Sequence, residues 1–476
     1  VDEERLGSDR FQIISRLGEG AFGVVYEARD RARGERVAIK ALHRLGPDAL
    51  LRFKQEFRTL RNLRHPNLVR LEELIEQRGR WYITMELVRG SDVLSYVRRG
   101  AQRRRADRDS APTGHNPGFD EERLRSCLTQ LAQGLEALHQ AHKIHRDIKP
   151  ANVRVTHDGR VVLLDFGLVF DQQEDSSTAR SMVGTAAYMS PEQAASSGVT
   201  PASDWYSVGI LLFEMLTGQR PFTGSPLQVM LDKQRRAPSR PSQLTRDAPR
   251  DLDELCVELL APNPADRPTG SSLLSRLGAQ SRILRTYSRV PFVGRAIELE
   301  RLLAATEALA RGEFGSAYVS GPSGSGKTRM IGEFVARLRT QRPDAVVLRG
   351  RCHESESVPY KAFDGIIDGL SRTLRQMAPE DTRRIVPDGA ASLGEVFPVL
   401  SRIEAIAGSG KRAQPSPDPW ALRAQVFSAL RELFLRLGRL AQVILVIDDL
   451  HFADAESLHL LERLLLGPDR PCLLVV

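Results

Sequence analysis

Apolar and polar positions along the chain change rhythm part-way, and the change divides the chain into two stretches. Early on, FQIISRL, VVYEARD and RVAIKAL alternate or run apolar as short strands do. In LLRFKQEFRTLRNLRH, Leu50, Phe53, Phe57, Leu60 and Leu63 recur at helical spacing, which predicts an amphipathic helix. LHQAHKIH ends a further helical pattern, and VRVTH and RVVLLDF read as two strands joined by a turn at His157-Asp158-Gly159. SDWYSVGILLFEMLTG reads as an apolar helix. Beyond 290 the texture becomes strand, loop, helix: SAYVS, then RMIGEFVARLR, then the buried-strand runs AVVLRG, VILVID and PCLLVV.

Composition sets the scale. With 476 residues, 41% of them hydrophobic, the chain has material for two cores, not one. The formal charge is +8, but 27% of residues are charged and both signs are spread along the chain, which argues against a nucleic-acid partner. Cys127, Cys256, Cys352 and Cys472 are far apart and form no metal or disulfide pattern, as expected of a reducing cytoplasm. No apolar run reaches the length of a membrane span. The chain opens without methionine and closes on a strand-like run, so it is expected to be a piece of something longer.

The chemistry concentrates in HRDIKPANVRVTHDGRVVLLDFG. A loose phosphoryl-transfer transition state asks for positioning and charge neutralisation, and four side chains here divide the task. Asp147 is expected to accept a hydroxyl proton and Lys149 to reach the transferring phosphate. Asn152 and Asp165 are expected to hold Mg2+. Upstream, Gly18, Gly20 and Gly23 lie between two strands, where backbone amides can approach the phosphates of ATP. The dinucleotide fingerprint needs a helix after such glycines, and VVYEARD is a strand instead. Lys40, on the strand RVAIKAL, can pair with α- and β-phosphates, and Glu56, flanking the helical stripe, is its expected partner. The segment Met85 to Val88, with Glu86 and Val88, would offer backbone hydrogen bonds to an adenine edge.

Downstream, DQQEDSSTARSMVGTAAYMSPEQ carries Ser176, Ser177, Thr178 and Ser181, any of which could take a phosphate paired by Arg146. Thr185 is expected to bond Asp147 and Lys149 rather than be modified. Asp204 opens an apolar helix and is expected to bond backbone amides there. Arg267 is expected to form a buried ion pair with Glu192.

With these motifs in order, residues 11–277 resemble a eukaryotic-type (Hanks-type) serine/threonine protein kinase. The resemblance implies an α+β bilobal fold, with an N-lobe over about 11–88 and a C-lobe over about 89–277, after an extension at 1–10. It also implies an ATP site that includes Leu17, Val25 and Ala38, and protein substrates presenting Ser or Thr, the chain itself among them. Two departures stand out: SPE where the family reads APE, and an arginine-rich insert at 98–118 whose composition suits a mobile surface loop.

After a linker at 278–290, GPSGSGKT fits GxxxxGK[ST] between a strand and a helix. Gly321, Gly324 and Gly326 free the backbone to cradle phosphates, Lys327 reaches the β- and γ-oxygens, and Thr328 ligates Mg2+. A second GSGK, at 408–411, lacks the leading glycine and the hydroxyl and reads as a loop. In QVILVIDDLHFAD, Asp448 ends a buried strand as the acidic partner, with Asp449 placed to orient water. FVGR, GPSGSGKT, LRGRCHESESVPYKAFDGIIDGL and ILVIDDLHFAD together resemble the AAA-like ATPases of the STAND class over 291–476. That implies an α/β P-loop domain with a parallel sheet, short of the class's last strand and lid, which argues against hydrolysis more than against binding. The expectation is a signalling kinase with an appended ATPase switch and ATP at two sites. The alternative is an ATP-binding scaffold or transcription-regulator fragment in which the P-loop unit is the working part.

Overall fold

The computed structural model describes residues 10–20, 23–43, 45–77, 79–98, 118–165, 186–195, 197–279, 292–310, 316–409, 419–465 and 473–475. It divides into two compact units. Val1–His43, Gln55–Glu72 and Ile83–Thr286 belong to the first, and Arg44–Lys54, Glu73–Tyr82 and Tyr287–Val476 to the second.

In the first unit, β1 (Phe11–Gly20), β2 (Gly23–Asp30) and β3 (Arg36–Leu42) form an antiparallel meander, with Gly20 opposite Gly23 at the first turn and Val25 opposite Lys40. Helix α1 (Pro47–Arg61) and strands β4 (Leu71–Gln77) and β5 (Arg80–Glu86) follow in the chain, each with residues in both units, and β5 lies beside β3. The predicted stripe on α1 is what is buried: Phe53 and Phe57 have no exposed surface and Leu60 is nearly as covered.

Next come β6 (Gly90–Asp92), helix α2 (Glu121–Gln140), β7 (Val153–Thr156) and β8 (Val161–Leu163). Strands β6, β7 and β8 make a small antiparallel sheet. Helix α2 starts where the Asp120 carboxylate accepts the Arg123 amide, and it buries Leu124, Leu128, Leu131, Leu135 and Leu138 along one face. Helix α3 (Pro201–Thr217) is apolar nearly all round and accordingly lies inside the unit. Helix α4 (Pro226–Arg235) and helix α5 (Arg250–Leu259) follow, and α5 packs so close to α3 that a Cβ on Gly209 would sit 2.9 Å from Leu259 Cβ. Helix α6 (Gly270–Arg276) is the last described element of this unit.

In the stretch of the second unit from Tyr287 onward, the first described element is helix α7 (Ala296–Ala310). The sheet of this stretch is formed by β9 (Ser316–Ala317), β10 (Val346–Arg351), β11 (Val443–Asp448) and β12 (Leu473–Val475), in the order β10-β11-β12-β9 and parallel throughout. Strand β11 is buried at every position. Alternation explains why: Ile444 and Val446 pack with Leu299, Phe334 and Val335, from α7 and helix α8 (Lys327–Gln341). Leu445 and Ile447 face the other way into a core with Ile366, Leu430 and Leu460. These come from helices α9 (Lys361–Gln376), α10 (Pro419–Leu440) and α11 (Ala455–Leu465). Among the described residues, no helix is long and apolar enough to cross a membrane, and Cys127, Cys256 and Cys352 are buried free thiols.

Candidate active site

The loop between α2 and β7 is held by backbone geometry that few residues adopt. Arg146 (φ 66°) within it, like Asp165 (φ 49°) just after β8, is a left-handed non-glycine. The anchor is Asp204, 1% exposed, whose Oδ2 accepts the His145 amide at 2.8 Å and lies 2.7 Å from His139 Nε2, while Oδ1 accepts the Arg146 amide at 2.8 Å. This corrects the sequence expectation. Asp204 bonds amides of a loop 58 residues and more upstream, and the start of its own helix is capped by Thr200 instead. His145 is fully buried and spans the same loop: Nδ1 accepts the Asp147 amide, so the ring proton is on Nε2, which donates to Leu164 O at 2.9 Å.

On this frame Asp147, Lys149 and Asn152 meet. Asp147 Oδ2 accepts from Lys149 Nζ at 2.8 Å and from Asn152 Nδ2 at 2.9 Å, and Asn152 Nδ2 also donates to Asp147 O. Asn152 O in turn accepts the Leu164 amide, which ties the loop to the end of β8 one residue before Asp165. There Lys40 Nζ, 5% exposed, donates to Asp165 Oδ1 at 2.7 Å. Glu56 lies on α1, half-buried. Leu17 is half exposed on β1, Val25 and Ala38 lie on adjoining strands, and the Glu86 amide donates to Arg70 O. Val88 follows β5. Gly18 and Gly20 have open space around them, whereas Gly23 is required by the strand itself: at φ 152°, a Cβ there would lie 2.0 Å from Ala41 O.

Glu192 and Arg267 pair bidentately below this loop, Nη1 to Oε1 at 2.7 Å and Nη2 to Oε2 at 2.9 Å. Ser203 Oγ donates to Glu192 Oε1 at 2.6 Å, and Arg267 also donates to the carbonyls of Ala202, Ala261 and Pro262. Burial by itself would raise the Glu192 carboxyl, but the hydrogen bonds from Arg267 and Ser203 outweigh it and hold it at about 2. Phe166, Gly167, Ser176, Ser177, Thr178, Ser181 and Thr185 lie outside the described residues, as does 99–117 of the insert. Arg98, at the insert's edge, points inward and donates to Met215 O.

In the second unit, Gly324 (φ 78°) and Gly326 (φ 85°) turn the loop into α8, which starts at Lys327. Lys327 Nζ donates to Gly321 O at 2.8 Å and to Pro322 O at 3.1 Å, folding the lysine over its own loop. Thr328 Oγ1 donates to Asp448 Oδ1 at 3.3 Å, bringing two hard oxygen ligands together at the helix start. Sequence reasoning missed Arg351, whose Nε donates to Asp449 Oδ2 at 3.0 Å. Its position gave the signal: it ends β10 in register with Asp448.

Residues 11–277 match the family model described as the protein kinase domain, and residues 291–476 match that of the AAA ATPase domain. The chain is 32% identical over 271 residues to the probable serine/threonine-protein kinase PknB of Lactococcus lactis, covering 56% of this chain and 41% of that protein. To the serine/threonine-protein kinase PknA of Mycobacterium tuberculosis it is 34% identical over 269 residues, 55% of this chain and 58% of that one. A solved structure, the kinase domain of Mycobacterium tuberculosis PknI, is 24% identical and aligns with a TM-score of 0.42 over 58% of this chain and 97% of that chain. This chain therefore spans roughly half the length of the curated relatives it matches.

Proposed function

Because the chain belongs to the protein kinase domain family, we propose that it transfers the γ-phosphate of ATP to serine or threonine hydroxyls of proteins, its own activation segment included. Kinase and AAA ATPase families use ATP, typically with Mg2+. The observation that carries the reading is the Asp147–Lys149–Asn152 hydrogen-bonded cluster, joined through Leu164 to the Lys40–Asp165 pair.

The donor set suits a magnesium nucleotide. Asp165 supplies carboxylate oxygens, and Asn152, its Nδ2 committed to Asp147, has only its amide oxygen for a cation. Bound Mg-ATP supplies the phosphoryl group and neutralises its charge. Asp147 takes the acceptor's hydroxyl proton as the new O–P bond forms and the bond to the β-phosphate oxygen breaks, ADP leaving. Lys149, 2.8 Å from Asp147, would carry its positive charge to the transferring phosphate. Lys40 exchanges Asp165 for the α- and β-phosphates with Glu56 as its counter-charge, and Leu17, Val25, Ala38 and the backbone near Glu86 and Val88 enclose the adenine.

In the second unit, the loop from Gly321 to Thr328 would bind a second ATP. Lys327 would leave its loop carbonyls for phosphate oxygens, and Thr328 and Asp448 would hold Mg2+. That unit is read as a nucleotide-dependent switch acting on the kinase in a cytoplasmic signalling protein. The test follows label from γ-labelled ATP into a basic acceptor protein and into the chain. Transfer should persist in Lys327→Ala and be lost in Asp147→Asn; equal transfer by Asp147→Asn and wild type would overturn the assignment.

A further inference from the structure

We propose that Lys233, on α4, is the positioning residue for residues 186–190, the segment that flanks Asp147 and along which an acceptor polypeptide must lie. This rests on the kinase reading above and adds a residue that no motif contains.

The segment 186–190 has neither helix nor strand, yet Ala186 and Ala187 are buried. Its carbonyls are satisfied by side chains from below. Lys233 Nζ donates to Ala186 O at 3.0 Å, Ala187 O at 2.7 Å and Met189 O at 2.7 Å, while Ser207 Oγ donates to Tyr188 O at 2.8 Å. An ammonium has three protons, and all three are used. Four successive carbonyls thus point at two buried side chains, so one helix residue supplies the bonding that a ladder would give elsewhere.

The helical turn that continues the segment, Pro191–Ala194, bonds the reacting loop: Gln193 Nε2 donates to Arg146 O at 2.9 Å, next to Asp147. Helix α3 holds both pieces from neighbouring positions: Asp204 takes the amides of His145 and Arg146, and Ser207 takes Tyr188 O. A hydroxyl brought to Asp147 therefore arrives beside 186–190, and the path of that backbone decides how the flanking residues sit.

Keeping a cation here is costly. Lys233 is 1% exposed and faces the Tyr206 ring at 5.6 Å, and Arg220 is the charged neighbour that acts on it. Burial, with Arg220 adding repulsion, pushes its ammonium down to about 7. A methionine of similar length would fill the space without that cost but would leave three carbonyls unpaired. The requirement is for three donors converging on one segment.

The test uses the full chain as wild type, Lys233→Met and Ser207→Ala. Steady-state transfer to an acceptor peptide is measured together with hydrogen exchange of amides 186–193. For Lys233→Met the KM for peptide should rise about ten-fold with the KM for ATP unchanged, and exchange in 186–193 should speed up by a similar factor. Ser207→Ala should shift both in the same direction, less strongly. Unchanged peptide KM and unchanged exchange in Lys233→Met overturn the inference. If that variant does not fold, an unaltered Ser207→Ala overturns it. A wild type that transfers nothing refutes the kinase reading instead, and the exchange data still decide whether Lys233 holds the segment.

Discussion

Replacing Glu192 with glutamine keeps its shape and removes its charge, so it isolates what the buried pair with Arg267 contributes. The Arg267 side chain has no exposed surface, and in Glu192→Gln its guanidinium would face a neutral amide in place of a carboxylate. Two routes give the magnitude. Breaking a buried pair on one side typically costs about 3–5 kcal/mol. The carboxyl held at about 2 against an ordinary value of 4.5 corresponds to at most about 3 kcal/mol at neutral pH. Both imply a fall in midpoint temperature of roughly 6–15 °C for a unit of this size. Because the folded-state value is depressed, the contribution is complete above the unfolded value of 4.5 and is lost as pH falls toward 2. Scanning calorimetry of wild type and Glu192→Gln from pH 7 to pH 3 should therefore show the gap between the two midpoints narrowing below pH 4.5. In a double-mutant cycle, Glu192→Gln with Arg267→Met should cost less than the sum of the two singles. A gap under about 2 °C at pH 7, or one that stays constant down to pH 3, would refute the argument.

Other outcomes follow from the same geometry. Asp147→Asn should lower the rate of peptide phosphorylation by roughly 10²–10⁴-fold with ATP affinity retained, read by steady-state transfer and equilibrium dialysis. Gly23→Ala should destabilise β1–β2 by about 1–3 kcal/mol, because its Cβ would collide with Ala41 O, and urea unfolding would record it. Lys327→Ala should reduce bound ATP from two equivalents to one by titration calorimetry without abolishing phosphoryl transfer.

The sequence by itself determined the elements and the chemistry that are local. The stripe on α1, the hairpin of β7 and β8, the apolar run of β11 before Asp448 and the strand–loop–helix around Lys327 follow from spacing, because side-chain periodicity within one element fixes which face is buried. The residue types at Asp147, Lys149, Asn152 and Asp165 were legible for the same reason, since one short stretch carries them all. What only the tertiary structure decided is where buried polar groups find partners far along the chain. Asp204 reads as a helix cap, yet it bonds the amides of His145 and Arg146. Gly23 reads as a phosphate-loop glycine, yet the adjoining strand already demands it. Lys233 belongs to no motif in the sequence. Its place four residues after buried Val229 was the one hint that it shares the inward face, where it gathers the carbonyls of 186, 187 and 189. A buried donor must be satisfied by whatever the fold brings near it, and no local pattern encodes which distant backbone that will be.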